Sequence, residues 1–190
     1  MDIKEKHKPQ WEHPGGKLIE VGSDALTQEE LVAILIGTGY KGKTALDIAN
    51  DLMYEFYSFY GLLGKKPEAL ARIKGLKKGK IIRIAVAYEI AKRIICEKQW
   101  KIPAVRKITL ELPDLSDSEL LAILIETGYK EKTALDLADE LFKKYSSWCG
   151  LGGQRLSDFA KIKGLGDVKV VRIAAAYEIA GRVVKILEKE

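Results

Sequence analysis

The chain is written twice. Residues 11–98 and 100–187 align without a gap, each position answered by the one 89 further on, as Leu31 is by Leu120. Trp11 pairs with Trp100, Pro14 with Pro103, Gly39 with Gly128, Gly75 with Gly164 and Tyr88 with Tyr177. The run Thr38-Gly39-Tyr40-Lys41 returns as Thr127-Gly128-Tyr129-Lys130. Such a duplication predicts a molecule with pseudo-two-fold symmetry made from one chain. It also supplies an internal control, because a feature present in only one copy is a weak candidate for shared chemistry.

At 190 residues the chain has room for two small domains. We expect a flexible N-terminal arm over residues 1–10, one domain over 11–99 and a second over 100–190. Units of that size are marginal alone, so the copies should pack on each other and share burial. A net charge of +5 is modest, and local clustering of cations matters more than the total. Cys96 and Cys149 are the only cysteines, and neither recurs at the repeat offset. That argues against a disulfide framework and for a reducing, cytoplasmic setting. No stretch reads as a membrane span or a signal core. Asn50 is the only asparagine in a Lys-, Glu- and Ile-rich chain, a composition that points to heat adaptation.

Each copy reads as four main helices, giving an all-α fold. Thr27 with Glu30, and Ser116 with Glu119, are capping boxes opening apolar helices over 31–36 and 120–125. Thr44 and Thr133 cap a second helix, with Asp47 and Asp136 three residues later. A glycine-containing loop follows at 61–64 and 150–153. A short third helix spans 67–73 and 156–162, then comes a tight glycine turn, then a long helix over 78–98 and 167–188. Residues 107–112 are the one stretch with a hint of strand alternation.

The third helix, turn and fourth helix carry the chemistry. In the second copy Phe159, Ile162, Gly164-Leu165-Gly166, Val170 and Ile173 have the spacing of a helix-hairpin-helix. Glycine permits a positive φ and close approach, Leu165 plugs the gap between the helices, and the following amides face outward at a helix start that favours an anion. A nucleic-acid phosphate suits such a site. Lys161, Lys163, Lys169 and Arg172 surround it, opposed by Asp167. The first copy offers Arg72, Lys74, Lys77, Lys78, Lys80 and Arg83 about Gly75-Leu76-Lys77 and Gly79. There Lys77 stands where the second glycine belongs, and we expect that turn to lack the glycine's backbone freedom and to bind less tightly. Bulky acidic residues at Gly164 and Gly166 should then abolish most DNA binding and spare the fold. Nothing reads bases, so recognition should be of backbone shape.

Other motifs weigh less. Gly37-Thr38-Gly39-Tyr40-Lys41-Gly42-Lys43-Thr44 spells a P-loop, but a helix precedes it where a strand is needed, and Glu126 and Glu131 replace two glycines in the second copy. A milder role survives, with Lys41, Lys43 and the Thr44 amide, and Lys130, Lys132 and Thr133, as secondary phosphate contacts; a solvated, capped loop is the equal alternative. The aromatic run Tyr54, Phe56, Tyr57, Phe59 and Tyr60 invites thoughts of base stacking. The second copy keeps only Tyr145 and Trp148 there, so we expect core packing or a contact between copies. His7 and His13 lack partners for a metal, and no metal or cofactor is expected.

The segment Ala25-Leu26-Thr27-Gln28-Glu29-Glu30-Leu31-Val32-Ala33-Ile34-Leu35-Ile36, with Thr38-Gly39, Lys41-Gly42-Lys43-Thr44, Ile73-Lys74-Gly75 and Tyr88-Glu89-Ile90-Ala91, resembles the N-terminal helical domain of RadC-type (UPF0758) DNA repair proteins. The resemblance covers nearly the whole of each copy. The family continues into a JAB/MPN metal-dependent domain with a His-x-His motif, which this chain lacks, so hydrolase activity does not carry over and no enzyme is expected. The resemblance implies DNA as partner, duplex or branched, and repair proteins as further partners. The rival reading is a protein-interaction module or scaffold. Oligomeric state, pathway and the choice between DNA and RNA stay open.

Overall fold

The computed structural model describes residues 13–108, 112 and 114–190. The expected arm over 1–10, Trp11, His7 and the centre of the possible strand at 107–112 lie outside the described residues. Among the described residues there is no strand; Lys107 ends a 3-10 turn, Pro103–Lys107.

The first half comprises α1 (Pro14–Val21), α2 (Gln28–Ile36), α3 (Ala45–Phe56), α4 (Phe59–Leu62), α5 (Pro67–Leu70) and α6 (Lys78–Glu97). The second comprises α7 (Asp117–Ile125), α8 (Ala134–Tyr145), α9 (Trp148–Gly152), α10 (Leu156–Ala160) and α11 (Asp167–Leu187). The capping boxes form as the sequence reads: Thr27 with Glu30, Thr44 with Asp47, Ser116 with Glu119 and Thr133 with Asp136.

Two features depart from expectation. Helix α1 was hidden by Gly15-Gly16, poor helix formers. His13 rescues its start, Nδ1 accepting the Gly16 amide at 3.1 Å, and Leu18 anchors it in the core with no exposed surface. The glycine loops at 61–64 and 150–153 begin as the short helices α4 and α9. Gly61 and Gly150 sit inside them because a Cβ there would overlap the carbonyl oxygens of Phe56 and Tyr145.

One apolar cluster runs through both halves. At its centre α6 lies along α11, and α2 and α7 each pack on both. Arginines on the two long helices hold this arrangement at both ends. Arg83 of α6 donates to Leu35 O at 2.7 Å and Ile36 O at 3.2 Å, closing the end of α2. Arg172 of α11 donates to Leu124 O at 2.9 Å, closing the end of α7. Further along, the partners cross over. Arg93 of α6 reaches Leu115 O and Asp117 at the start of α7, and Arg182 of α11 reaches Leu26 O at 2.9 Å before α2. Helix α2 is thus fastened at one end by its own half and at the other by the opposite half, and so is α7. Trp148, fully buried, adds a further tie. Its indole donates to Asp117 at 2.7 Å, and its amide donates to Glu97 at the end of α6 at 3.0 Å.

Candidate nucleic-acid interface

The turns between α5 and α6 and between α10 and α11 have one backbone design. The Leu76 amide donates to Ile73 O and the Leu165 amide to Ile162 O, each at 3.0 Å. Gly75 and Gly164 take φ +93° and +97°, a region only glycine enters freely. A Cβ at either would overlap a tyrosine ring, Tyr40 or Tyr129. Leu76 and Leu165, 3% and 2% exposed, plug the gap between the two helices as the spacing implies.

The second glycine proves unnecessary. Gly166 has φ −75° and ψ 167°, and Lys77 has φ −80° and ψ 165°, both extended conformations open to any residue. A Cβ on Gly166 would meet open space. The lysine therefore does not impair the first hairpin's backbone, contrary to expectation, because the turn's strain lies wholly at the first glycine. For the same reason a bulky residue is tolerable at Gly166 but not at Gly164.

Past each leucine the long helix begins without a cap. Among the described residues, the amides of Lys77, Lys78 and Gly79, and of Gly166, Asp167 and Val168, find no protein acceptor, while α2, α3, α7 and α8 all have side-chain caps. Both uncapped starts lie at one end of the bundle, as a carboxylate shared between the two helices shows. In the second turn of each long helix an arginine meets the same carboxylate: Glu126 is 3.1 Å from Arg83 and 2.8 Å from Arg172.

The basic residues divide into free and engaged. Lys74, Lys77, Lys78 and Lys163 are exposed, with the Lys74 ammonium 5.6 Å from the centre of the Tyr40 ring. Lys80 instead bridges Thr38 O and Gly75 O, and Lys169 bridges Gly128 O and Gly164 O, each pinning its hairpin to the loop after α2 or α7. Burial, then the charges of Arg83 and Lys77, pull the Lys80 pKa below the ordinary lysine value. Arg83 and Arg172 are helix-end clamps, Arg172 being only 7% exposed; they leave the set of candidate phosphate ligands. Burial and then the neighbouring Arg172 lower the Arg83 pKa, against the pull of Glu126.

The loops at 37–44 and 126–133 are likewise engaged. Tyr40 and Lys43, and Tyr129 and Lys132, exchange backbone hydrogen bonds at 2.9 Å, consuming the amides a phosphate cradle would need. The Thr44 and Thr133 amides donate to Asp47 at 2.8 Å and Asp136 at 2.7 Å. These bonds hold both carboxyl pKa values below the usual range. Lys43 pairs with Asp51 and Lys132 with Glu140. Only Lys41 and Lys130 remain as exposed, unpaired cations among the described residues of these loops. The capped-loop alternative describes them, and the threonine amides are not available to a phosphate.

Glu126 was missed as a structural residue. It stands at φ +67° where the first half has Gly37 at +76°. A non-glycine residue there is disfavoured by about 1–2 kcal/mol, and the gain is a carboxylate between two arginines. A charged side chain in the slot of a helix-ending glycine was the signal available in the sequence.

Burial and then Glu97 push the Cys149 pKa up, away from a reactive thiolate. Among the described residues no group of His, Cys, Asp and Glu is placed to hold a metal ion, and no helix is long and apolar enough to cross a membrane.

Fold and site together define an all-helical protein whose two long helices each start, uncapped, from a leucine-plugged hairpin. The chain belongs to the UPF0758 family, whose N-terminal model (UPF0758 N-terminal) matches residues 5–82 and 103–171. A UPF0758 protein of Cupriavidus taiwanensis is 36% identical over 143 residues, 71% of this chain and 60% of the relative. One from Streptococcus agalactiae is 39% identical over 89 residues, 47% of this chain and 39% of the relative. One from Clostridium botulinum is 37% identical over 91 residues, 48% of this chain and 40% of the relative. The chain thus spans about two fifths to three fifths of these relatives' lengths. No solved structure matches it.

Proposed function

We propose that the protein binds the sugar-phosphate backbone of DNA, without sequence preference, through its hairpin turns. The observation that carries this reading is the pair of uncapped helix starts at one end of the bundle, the first ringed by Lys74, Lys77 and Lys78. Unpartnered amides and a helix dipole favour an anion, and exposed cations add salt-sensitive attraction for a polyanion. The first hairpin is the principal contact in this reading, because Asp167 and Val168 occupy the second hairpin's places for Lys78 and Gly79. A pseudo-two-fold pairing of tandem domains would let both turns follow one duplex or branched DNA, in a repair or recombination setting and in a cytoplasmic, non-enzymatic role.

The test is fluorescence anisotropy with a labelled duplex. Lys77→Glu/Lys78→Glu should weaken binding at least tenfold at low salt and flatten the salt dependence. Unchanged affinity, or a wild-type affinity indifferent to salt, refutes the reading.

A protein-docking role for the second hairpin is favoured by one observation. Val168 is 71% exposed on the rim of a cleft of about 530 Å³ lined by Ile19, Ile34, Leu46 and Val171. An exposed apolar rim of this kind suits a partner. Val168→Lys would discriminate: loss of a partner with DNA affinity kept or raised supports docking.

A further inference from the structure

Two tyrosines of the first half lie almost wholly in solvent. Tyr54, in the last turn of α3, is 85% exposed, and Tyr57, which ends that helix, is 89% exposed. Tyr60, on α4, is 45% exposed. The expectation that this aromatic run packs in the core or between the copies holds for Phe59, for Trp148 in the second half and for Tyr60, which meets Lys107 of the other half, but fails for Tyr54 and Tyr57. The fold does not require them. The equivalent positions are Lys143, Ser146 and Cys149, and Ser146 takes φ +68° where Tyr57 takes +65°. A bulky side chain is disfavoured at positive φ, so the backbone favours a smaller residue than the one present. Large aromatic faces held in water without structural need are characteristic of a binding surface.

The charge beside them selects the ligand. Between the tyrosines and the first hairpin, residues 61–78 carry Lys65, Lys66, Arg72, Lys74, Lys77 and Lys78 against the single carboxylate of Glu68. All six cations are exposed, and none pairs with a carboxylate among the described residues. The Lys65 ammonium lies 5.9 Å from the Phe56 ring centre; that of Lys107 lies 5.6 Å from the Tyr60 ring centre but is paired with Glu190, so it adds no free charge. The equivalent stretch of the second half, 150–167, has Arg155, Lys161 and Lys163 against Asp158 and Asp167, and no exposed tyrosines upstream. Aromatic faces and a strongly basic stretch occur together in one half and are absent together from the other. That is the pairing by which proteins hold unpaired nucleotides: bases stack on rings while cations follow the phosphates.

We propose that Tyr54 and Tyr57 form a stacking site for unpaired bases. The preferred ligand is then a duplex with a single-stranded extension, the hairpin on the duplex and the tyrosines on the extension. This rests on the DNA-backbone reading and adds the substrate class.

The experiment compares full-length wild type, Tyr54→Ala/Tyr57→Ser and Tyr54→Phe/Tyr57→Phe by anisotropy. The probes are a blunt duplex and the same duplex with a ten-nucleotide thymidine extension. Wild type should bind the extended probe at least fivefold more tightly than the blunt one. The Ala/Ser variant should lose that preference with its blunt-duplex affinity unchanged, and the Phe variant should keep it, since the ring is what stacks. Equal preference in wild type and the Ala/Ser variant overturns the stacking site and leaves the backbone reading intact. Binding of neither probe by wild type overturns both. Loss of self-association by the Ala/Ser variant in sedimentation, with DNA binding unaltered, overturns the site by assigning the tyrosines to a protein contact.

Discussion

The turn at Gly75 and the turn at Gly164 share a backbone and diverge in what they present to water. Both place the first glycine near φ +95°, bury the leucine and begin a helix with unpartnered amides. Around that common frame the first sets lysines at 74, 77 and 78, and the second sets Lys163, Gly166, Asp167 and Val168. Measured by sequence pattern, the second is the better hairpin. Measured by electrostatics, the first is the better anion site. The lesson is that the motif's strict demand is conformational and falls on one residue, while affinity depends on neighbours the motif does not specify.

The largest effect should come from breaking what the two turns share. Gly75→Val and Gly164→Val each add a side chain at positive φ and against a tyrosine ring, and each should cost about 3 kcal/mol in urea unfolding. Gly166→Val should cost less than about 0.5 kcal/mol. A smaller difference between Gly164→Val and Gly166→Val would mean the turn's strain is spread over both positions.

Exchanging what differs should move affinity and leave stability alone. Gly166→Lys/Asp167→Lys rebuilds the first hairpin's charge on the second, and should tighten duplex binding severalfold at low salt with unfolding changed by under about 0.5 kcal/mol. No gain would mean the second turn is turned away from the DNA.

Glu126 sharpens the comparison from within the bundle. Glu126→Gln keeps the strained backbone but removes the charge between Arg83 and Arg172, whose side chains are 12% and 8% exposed while that of Glu126 is 49% exposed. A loss of about 1–2 kcal/mol is expected after allowing for solvent screening. Gly37→Glu, which adds a second carboxylate at the equivalent place, should not stabilise.

The smallest effect separates capped from uncapped helix starts. Hydrogen bonds from Thr44, Ser116 and Thr133 hold Asp47, Glu119 and Asp136 below their ordinary pKa values. A depressed folded-state pKa contributes stability above the unfolded value, near 4, that is lost as pH falls through the folded value. Melting temperature should therefore be flat from about pH 7 to 5 and decline below about pH 4. The hairpin starts have no carboxylate cap to lose, so a Lys77→Ala variant should follow the same profile.

Much of this architecture was legible in the repeat. Each capping box, the leucine plug and the long helices followed from residue type and spacing, because these are local rules: a hydroxyl three residues before a carboxylate, a glycine before a buried leucine. Helix α1 was not legible, because its stability comes from His13 and from burying Leu18 rather than from propensity. The candidate site was only half legible. Sequence gives the positions of ten or more cations without saying which are already engaged, and Lys80, Lys169, Arg83 and Arg172 turned out to hold carbonyl oxygens. The aromatic run was misjudged for a related reason: helical spacing gives a residue's direction only when the helix end is known, and Tyr57 lies just past it.

The amino-acid sequence by itself determined the helices, their caps and the position of both turns, since each depends on contacts within a few residues. Tertiary structure alone decided that α2 and α7 are each held by both halves and that the two turns open at one end. It also decided which cations stay free. These outcomes depend on groups brought together across the fold, Arg83 and Arg172 on Glu126 above all, and a charge's availability is set by the partners that packing places beside it.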